Sequence, residues 1–416
     1  MRIGILTYHC VPNFGAQLQT LSTTCYLRNH GHDPIVLHWY PRDLENIYRG
    51  VLSEQRDAHR HFMEKYLPIS ALCRTEADLL REINELELDA ILLGSDALFK
   101  YIPLLRRWCV TMGRYLPRIV SIYAPSVERL RSNPFFGGFI PKMEKSIPVS
   151  VYAASAQNTP YEDMCFAEKK LMRSYMSNFT LLSARDMRTR KMIESVMHVS
   201  DVCVYPDPVF AFNQNVKEFI PKKCEIWEKY HIEKNYILLS FRPKYISKEY
   251  VENLAKEVRK NGYIPIALTA PGGVIGAGSE IVISAPLSPM DWYALIKYAS
   301  GYIGELMHPI VVSLHNAVPC FSFDEYGITN TSAKKVIFPK KEKWTKERSK
   351  IFHILHTAHC ASNWYAYASN EPLPAPCSVI NKIVEFDREA CQVFSNSQTL
   401  DYQDGMQRVM KSLGQV

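Results

Sequence analysis

Residues 2 to 40 constrain the fold most. An apolar run (RIGILTY) ends in the turn HCVPNFG, a helical stretch (AQLQTLSTTCYLRNH) closes at Gly31, and a second apolar run (PIVLHWY) follows. That succession reads as a βαβ unit. Short apolar runs recur at 89 to 96 (DAILLGSD), 149 to 155 (VSVYAAS), 180 to 186 (TLLSARD) and 202 to 209 (VCVYPDPV), with helical segments between several of them. Such alternation predicts a parallel sheet covered on both faces. Around 213 to 234 the chain turns polar and basic, and a second strand and helix series begins. It comprises strands at 236 to 243, 263 to 270, 280 to 285, 301 to 306 and 319 to 323, with helices over 247 to 261, from Ser288 to Ala299 and from Pro309.

A chain of 416 residues exceeds what one hydrophobic core usually serves. The expected architecture is therefore α/β: two Rossmann-like domains with a cleft between them, laid out like the glycosyltransferase-B enzymes. The expected boundaries are 1 to 215 for an N-terminal domain on the acceptor side, 216 to 375 for a C-terminal domain on the donor side, and 376 to 416 for a helical tail packing back on the first domain. Residues 101 to 148 are basic, aromatic and interrupted by proline, and read as an insertion or lid within the first domain. Its aromatics suit core packing or contact with an acceptor or membrane.

Composition narrows the class of partner. Forty-nine basic against 42 acidic residues leave a formal charge of +7, which suits small anionic substrates or an anionic membrane face and is too slight to imply nucleic acid. Eleven cysteines without paired spacing fit reduced thiols. With no secretory pattern at the N-terminus and no run long enough to span a bilayer, the expected location is the cytoplasm. The stretch 334 to 350 carries eight basic and two acidic residues. It reads as a solvated surface or, with the basic stretch at 105 to 118, as a peripheral contact with lipid headgroups at the inner face of the membrane.

Chemistry-bearing residues cluster at predicted strand ends. Asn13, Phe14, Gly15 and Ala16 stand where the first strand meets its helix, a place whose free N–H groups favour an anion or a hydroxyl-rich ligand. Asp96 ends the strand DAILLGSD and suits either a helix cap or a general base. Arg185 and Arg242 each end an apolar strand. A guanidinium there serves either an ion pair between domains or a carboxylate or phosphate ligand. His308 lies between a strand (GYIGEL) and a helix with Pro309 in its first turn, at the mouth of that helix. His353, His356 and Cys360 share one helix face and could hold zinc, but no fourth ligand is placed. No metal or cofactor is expected.

Several of these segments, in order, resemble the polysaccharide pyruvyl transferase family. GILTYHCVPNFGAQLQTL looks like that family's opening strand and helix, DAILLGSD its Gly-Ser-Asp strand end, SVYAAS its Tyr-Ala-Ala-Ser strand, and SARD its Ser-x-Arg-Asp step. PDPVF is similar to its Asp-Pro motif at Asp207, YILLSFRP to the opening of its second domain, and ELMHPIVVSLHNAVPCFSF to its Asp-x-x-His-Gly helix start. The chain departs from the pattern at Glu305, Leu306 and Pro309 around His308, and at Ala97, Leu98 and Phe99 after Asp96.

The resemblance implies that phosphoenolpyruvate is the donor substrate and a sugar, free or lipid-linked, the acceptor. The product would be a cyclic pyruvate ketal. In that frame His308 is the acid, Asp96 the candidate base, Arg185 and Arg242 the anion clamp, and Asn13 with Gln17 the sugar contacts. A glycosyltransferase using a nucleotide sugar, gripping its ribose through Glu280 or Glu305, and a non-catalytic scaffold of polysaccharide assembly are the alternatives.

Overall fold

The computed structural model describes residues 1–104, 108–112, 117–122, 133–157, 159–270, 273–325, 345–346, 349–369 and 371–414. Most of the two basic stretches at 105 to 118 and 334 to 350 lies outside the described residues. The first half runs β1 (Arg2–Leu6), α1 (Phe14–Asn29), β2 (Asp33–Val36), α2 (Arg42–Ile47), α3 (Ser53–Tyr66), α4 (Glu76–Glu85), β3 (Ala90–Leu93), β4 (Trp108–Met112), β5 (Pro117–Ile122), β6 (Val149–Ala154), α5 (Phe166–Met176), β7 (Leu181–Ala184) and α6 (Met187–Met197). The second runs α7 (Phe212–Asn215), α8 (Lys223–Lys229), β8 (Tyr236–Ser240), α9 (Lys248–Lys260), β9 (Ile264–Leu268), β10 (Ile281–Ile283), α10 (Pro289–Lys297), β11 (Gly301–Gly304), α11 (Met307–His315), β12 (Cys320–Asp324), α12 (Lys350–Thr357), β13 (Trp364–Ala366), α13 (Pro376–Val384) and α14 (Arg388–Ser412).

Strands buried on both faces carry apolar residues almost without alternation, and β3 (AILL), β6 (VSVYAA) and β8 (YILLS) are buried at every position. They form two parallel sheets, ordered β2-β1-β3-β6-β7 and β10-β9-β8-β11-β12-β13. In each the chain starts in the middle, builds outward, and returns to the other side of its first strand. The order therefore reverses between β1 and β3 and again between β8 and β11, and a crevice opens outside the carboxyl ends of strands at such a reversal. The turns after β1 and β3 carry Asn13 and Asp96; those after β8 and β11 carry Arg242 and His308.

One alternative is decided here and one expectation changes. Within the expected insertion, Phe135, Phe136 and Phe139 are buried in the first domain's core, with Phe136 stacked on Phe99, so these rings bury apolar area and face neither acceptor nor membrane. The expected tail splits into two helices with different partners. Helix α13 packs Val379, Ile380 and Ile383 into the core of the second sheet, and α14 alone returns. It starts beside α11, where Ser395 Oγ donates to the His315 carbonyl (2.8 Å), and ends under the first sheet, where Tyr402 meets Tyr26 and Tyr152 and Ser412 bonds Ser150 (2.7 Å). Among the described residues no helix is long and apolar enough to cross a membrane.

Candidate functional site

The first turn of α1 faces the first turn of α11 across the cleft. Asn13 caps α1, its Oδ1 accepting from the Ala16 N–H at 3.3 Å. Gly15 lies directly beneath the His308 ring: a Cβ at this position would come within 2.1 to 2.3 Å of three ring atoms. Only glycine permits that approach. Leu306 precedes α11 without a capping side chain, so the N-terminal dipole acts on His308 without a capping side-chain acceptor beside it. Burial holds the His308 imidazole below its ordinary pKa, opposed by the Asp207 and Asp96 carboxylates and reinforced by the Arg185 and Lys350 cations.

Behind His308 lies a buried polar relay. The Gln19 amide donates to Asp207 and its Nε2 lies 3.4 Å from His308 Nε2, while Asp207 pairs with Arg185 at 2.8 Å. Among the described residues Gln19 Oε1 is buried without a partner. Arg185 also reaches Ser95 Oγ (3.4 Å) and approaches Asp96 at 3.9 Å. Asp96 has a φ of 121°, a region that L residues rarely occupy, and its Oδ1 accepts from the Ala97 N–H at 2.7 Å. Strain of this kind persists where surrounding contacts over-determine it, as functional sites do.

The second cation is Lys350, at the start of α12. Its ammonium crosses from the second domain to donate to Ser155 Oγ of the first at 2.6 Å. Burial pushes Lys350 down to about 8, against the pull of Asp186, Asp96 and Asp207. Arg185 and Lys350 both line two adjoining cavities. The larger, about 520 Å³, is edged by Arg188, Lys191 and His353. The smaller, about 390 Å³, holds Asn13, Asp96, Glu305, His308 and Glu325.

The cleft thus joins His308, Asp96, Arg185 and Asn13 and excludes two expected residues. Gln17 is buried away from it, bonded to the His9 and His59 carbonyls (3.2 and 2.9 Å) and to His59 Nδ1 (2.7 Å). It is buried in the first domain and hydrogen-bonded within it. Arg242 is held by Glu305 (2.9 Å) and Glu325 (3.1 Å), so two carboxylates already neutralise it. It positions Glu305, whose other oxygen accepts from Tyr367 at 3.0 Å. Glu280 pairs with Arg259 on the surface (3.1 Å). Both glutamates considered as ribose grips are therefore engaged elsewhere. Among the described residues His353, His356 and Cys360 do not converge into a metal-binding group.

Removing the Arg242 side chain should leave Glu305 with only the Arg242 N–H (3.1 Å) and the Tyr367 hydroxyl. Loss of a charged hydrogen bond of this kind costs about 1 to 3 kcal/mol. Arg242→Ala is expected to lose that much in urea unfolding. An unchanged unfolding midpoint would mean that Glu305 does not depend on Arg242.

A family model described as polysaccharide pyruvyl transferase matches residues 13–325. A search of curated proteins finds no match. Among solved structures, the UDP-GlcNAc 2-epimerase of Neisseria meningitidis bound to UDP-GlcNAc superposes with a TM-score of 0.55 at 10% identity, covering 99% of each chain. The S. aureus MnaA–UDP structure gives 0.51 at 11% identity over 100% of this chain and 98% of that one. A glycosyltransferase from Rickettsia africae gives 0.50 at 9% identity, covering 100% and 99%. At these identities the likeness concerns the fold alone: two Rossmann-like domains in the glycosyltransferase-B arrangement.

Proposed function

The chain belongs to the polysaccharide pyruvyl transferase family, and from that premise we propose that its cleft transfers the enolpyruvyl carbons of phosphoenolpyruvate to two hydroxyls of a sugar, forming a ketal. The observation that carries this reading is the facing of His308 and Lys350, from the second domain, onto Arg185 and Asp96, from the first. Phosphoenolpyruvate brings a carboxylate and a phosphate close together, and two cations from opposite walls match that pair of charges. The neighbouring structures are described with UDP or UDP-GlcNAc, whereas here Glu280 and Glu305 are already paired, which favours the smaller anion.

Transfer needs a proton on the donor's methylene, which makes the central carbon electrophilic. It also needs a base for the attacking hydroxyl and charge stabilisation for the departing phosphate. His308 supplies the first proton or protonates the leaving phosphate. Its depressed pKa keeps the ring neutral in the free enzyme, and a bound phosphate dianion beside it favours the imidazolium, so protonation follows donor binding. Asp96 accepts the hydroxyl proton. Phosphate departs, the second hydroxyl closes on the same carbon, and the products are the ketal and inorganic phosphate. Asn13 lines the smaller cavity, and on this reading it contacts the acceptor, a sugar of a polysaccharide or its precursor. We place the reaction in the cytoplasm, since every cysteine whose side chain is described is a free thiol.

The direct test is donor binding. Phosphoenolpyruvate should raise the melting temperature and a panel of nucleotides should not, since a ligand stabilises only the state it binds; stabilisation by nucleotides alone would overturn the reading. A second expectation concerns pH. Lys350 carries its proton below about 8 in the free protein, so donor affinity should weaken as pH rises through that value, by up to about tenfold per unit, on top of the earlier decline from the proton that His308 takes up on binding. Lys350→Arg cannot lose its proton, and in calorimetric titrations its affinity should lack the added step near 8 while keeping the decline linked to His308. A step near 8 shared by both proteins would remove Lys350 from the clamp.

A further inference from the structure

At the carboxyl ends of β1 and β2, beneath the loop that leads to Asn13, two histidines and a cysteine converge. His9 is fully buried and its Nε2 lies 2.9 Å from His38 Nδ1. The donor atoms of His9, Cys10 and His38 all lie within 4.8 Å of one another. The other His9 nitrogen, Nδ1, is 3.0 Å from the Thr7 carbonyl. A carbonyl can only accept, so Nδ1 carries the proton, and in the neutral ring Nε2 is a lone pair aimed at the cluster. A histidine whose far nitrogen donates to a backbone carbonyl while its near nitrogen offers a lone pair is in the arrangement that orients metal-bound imidazoles.

We propose that His9, Cys10 and His38 bind a zinc-class divalent ion through two imidazole nitrogens and one thiolate, with water in the fourth position. This site goes beyond the pyruvyl-transfer reading and does not depend on it. The ligand types suit a borderline-soft ion. Zn–N and Zn–S distances of about 2.0 and 2.3 Å would place the ligand atoms roughly 3.3 to 3.6 Å apart, so closure needs side-chain movements of about 1 Å. Cys10 and His38 are half-buried; to make these movements Cys10 would leave the Trp39 carbonyl (3.6 Å) and His38 its hydrogen bond to His9 (2.9 Å). The neighbouring cation, Arg74, is already paired with Glu45 at 2.7 Å and donates to the Tyr40 carbonyl at 2.9 Å, so its charge is largely answered. The Cys10 thiol gives up its proton on binding, and the thiolate offsets one of the ion's two charges.

The ion's place in the fold sets its role. It would tie the chain just after β1 to the chain just after β2, and the Gln17 amide already bonds the His9 carbonyl at 3.2 Å. The segment from Cys10 to Asn13 would then be anchored at its start by the metal and at its end by the α1 cap. No step of the transfer passes through it.

The test is a cobalt titration of the metal-free full chain. Wild type should take up one Co²⁺ with the strong visible bands of a four-coordinate site and a near-ultraviolet thiolate-to-cobalt charge-transfer band, and Zn²⁺ should displace it. Cys10→Ser should lose the charge-transfer band. His38→Gln, which keeps a polar side chain there, should weaken Zn²⁺ by more than the 10- to 100-fold that loss of an outer partner costs. Cooperative unfolding of both variants confirms that they fold. Absence of the charge-transfer band from wild type, or its persistence in Cys10→Ser, would overturn the proposal, because the other cysteines would then be the ligands or none would.

Discussion

His308→Gln should lower kcat by about 10²- to 10⁴-fold, the usual reach of a positioned acid or base, while phosphoenolpyruvate affinity stays nearly unchanged. The split follows from where the charges sit. On the proposed reading Arg185 and Lys350 hold the donor's anionic groups in the ground state, whereas His308 acts when a proton moves. Glutamine preserves length and polarity beside Gln19 and Gly15, so the cleft should keep its shape and the melting temperature should barely move. Arg185→Ala should behave in the opposite sense. It removes a donor contact and also leaves Asp207 buried with only the Gln19 amide and the Val209 N–H, so affinity and stability fall together. Single-turnover rates beside calorimetric donor affinities separate the two, and full turnover in His308→Gln would remove His308 from the chemistry.

The strands and their carboxyl ends were legible because parallel sheets impose near-continuous apolar runs, and that alone put Asp96, Arg185 and His308 at the cleft. What was not legible is which side of a uniformly packed helix meets the other domain. Helix α1 is buried from Phe14 to Leu27, so it has no polar face to betray its direction. Gln17 and Gln19 stand about 200° apart around the helix axis; one faces the core and the other His308, and nothing local distinguishes them. Lys350 was hidden differently. It closes a run of basic residues whose composition suggests a solvated or lipid-facing surface, and only the Ser349 cap, which starts α12 at that point, turns it inward. Arg242 shows the limit of reading strand ends. The position was right, but its partner, Glu305, lies 63 residues away, and that pairing decides whether the guanidinium is free for a ligand. Asp207, quoted only within a motif, is the carboxylate that joins Gln19 to Arg185.

The largest effect from the smallest change is expected at Gly15. A methyl group there would stand 2.1 to 2.3 Å from the His308 ring, far inside van der Waals contact, so one of the two must move. Backbone movement at Gly15 would strain the first turn of α1, where Asn13 is already committed to the Ala16 N–H. The nearest ring atom is Cγ, so the His308 ring yields only by turning about χ1. Gly15→Ala should therefore displace the imidazole by an ångström or more from Gln19 and the donor site, at a cost in stability of about 1 to 3 kcal/mol. Misplacement of that size costs about 10²-fold in rate. The loss should appear in kcat with donor affinity close to wild type, mimicking His308→Gln although no titrating group has been touched. The double variant supplies the decisive measurement. If Gly15 acts only by admitting the ring, Gly15→Ala should cost almost nothing further in a His308→Gln background, a strong non-additivity that neighbours sharing one function show. Fully additive losses would mean that Gly15 serves the cleft by some other route, such as the approach of its backbone to the acceptor.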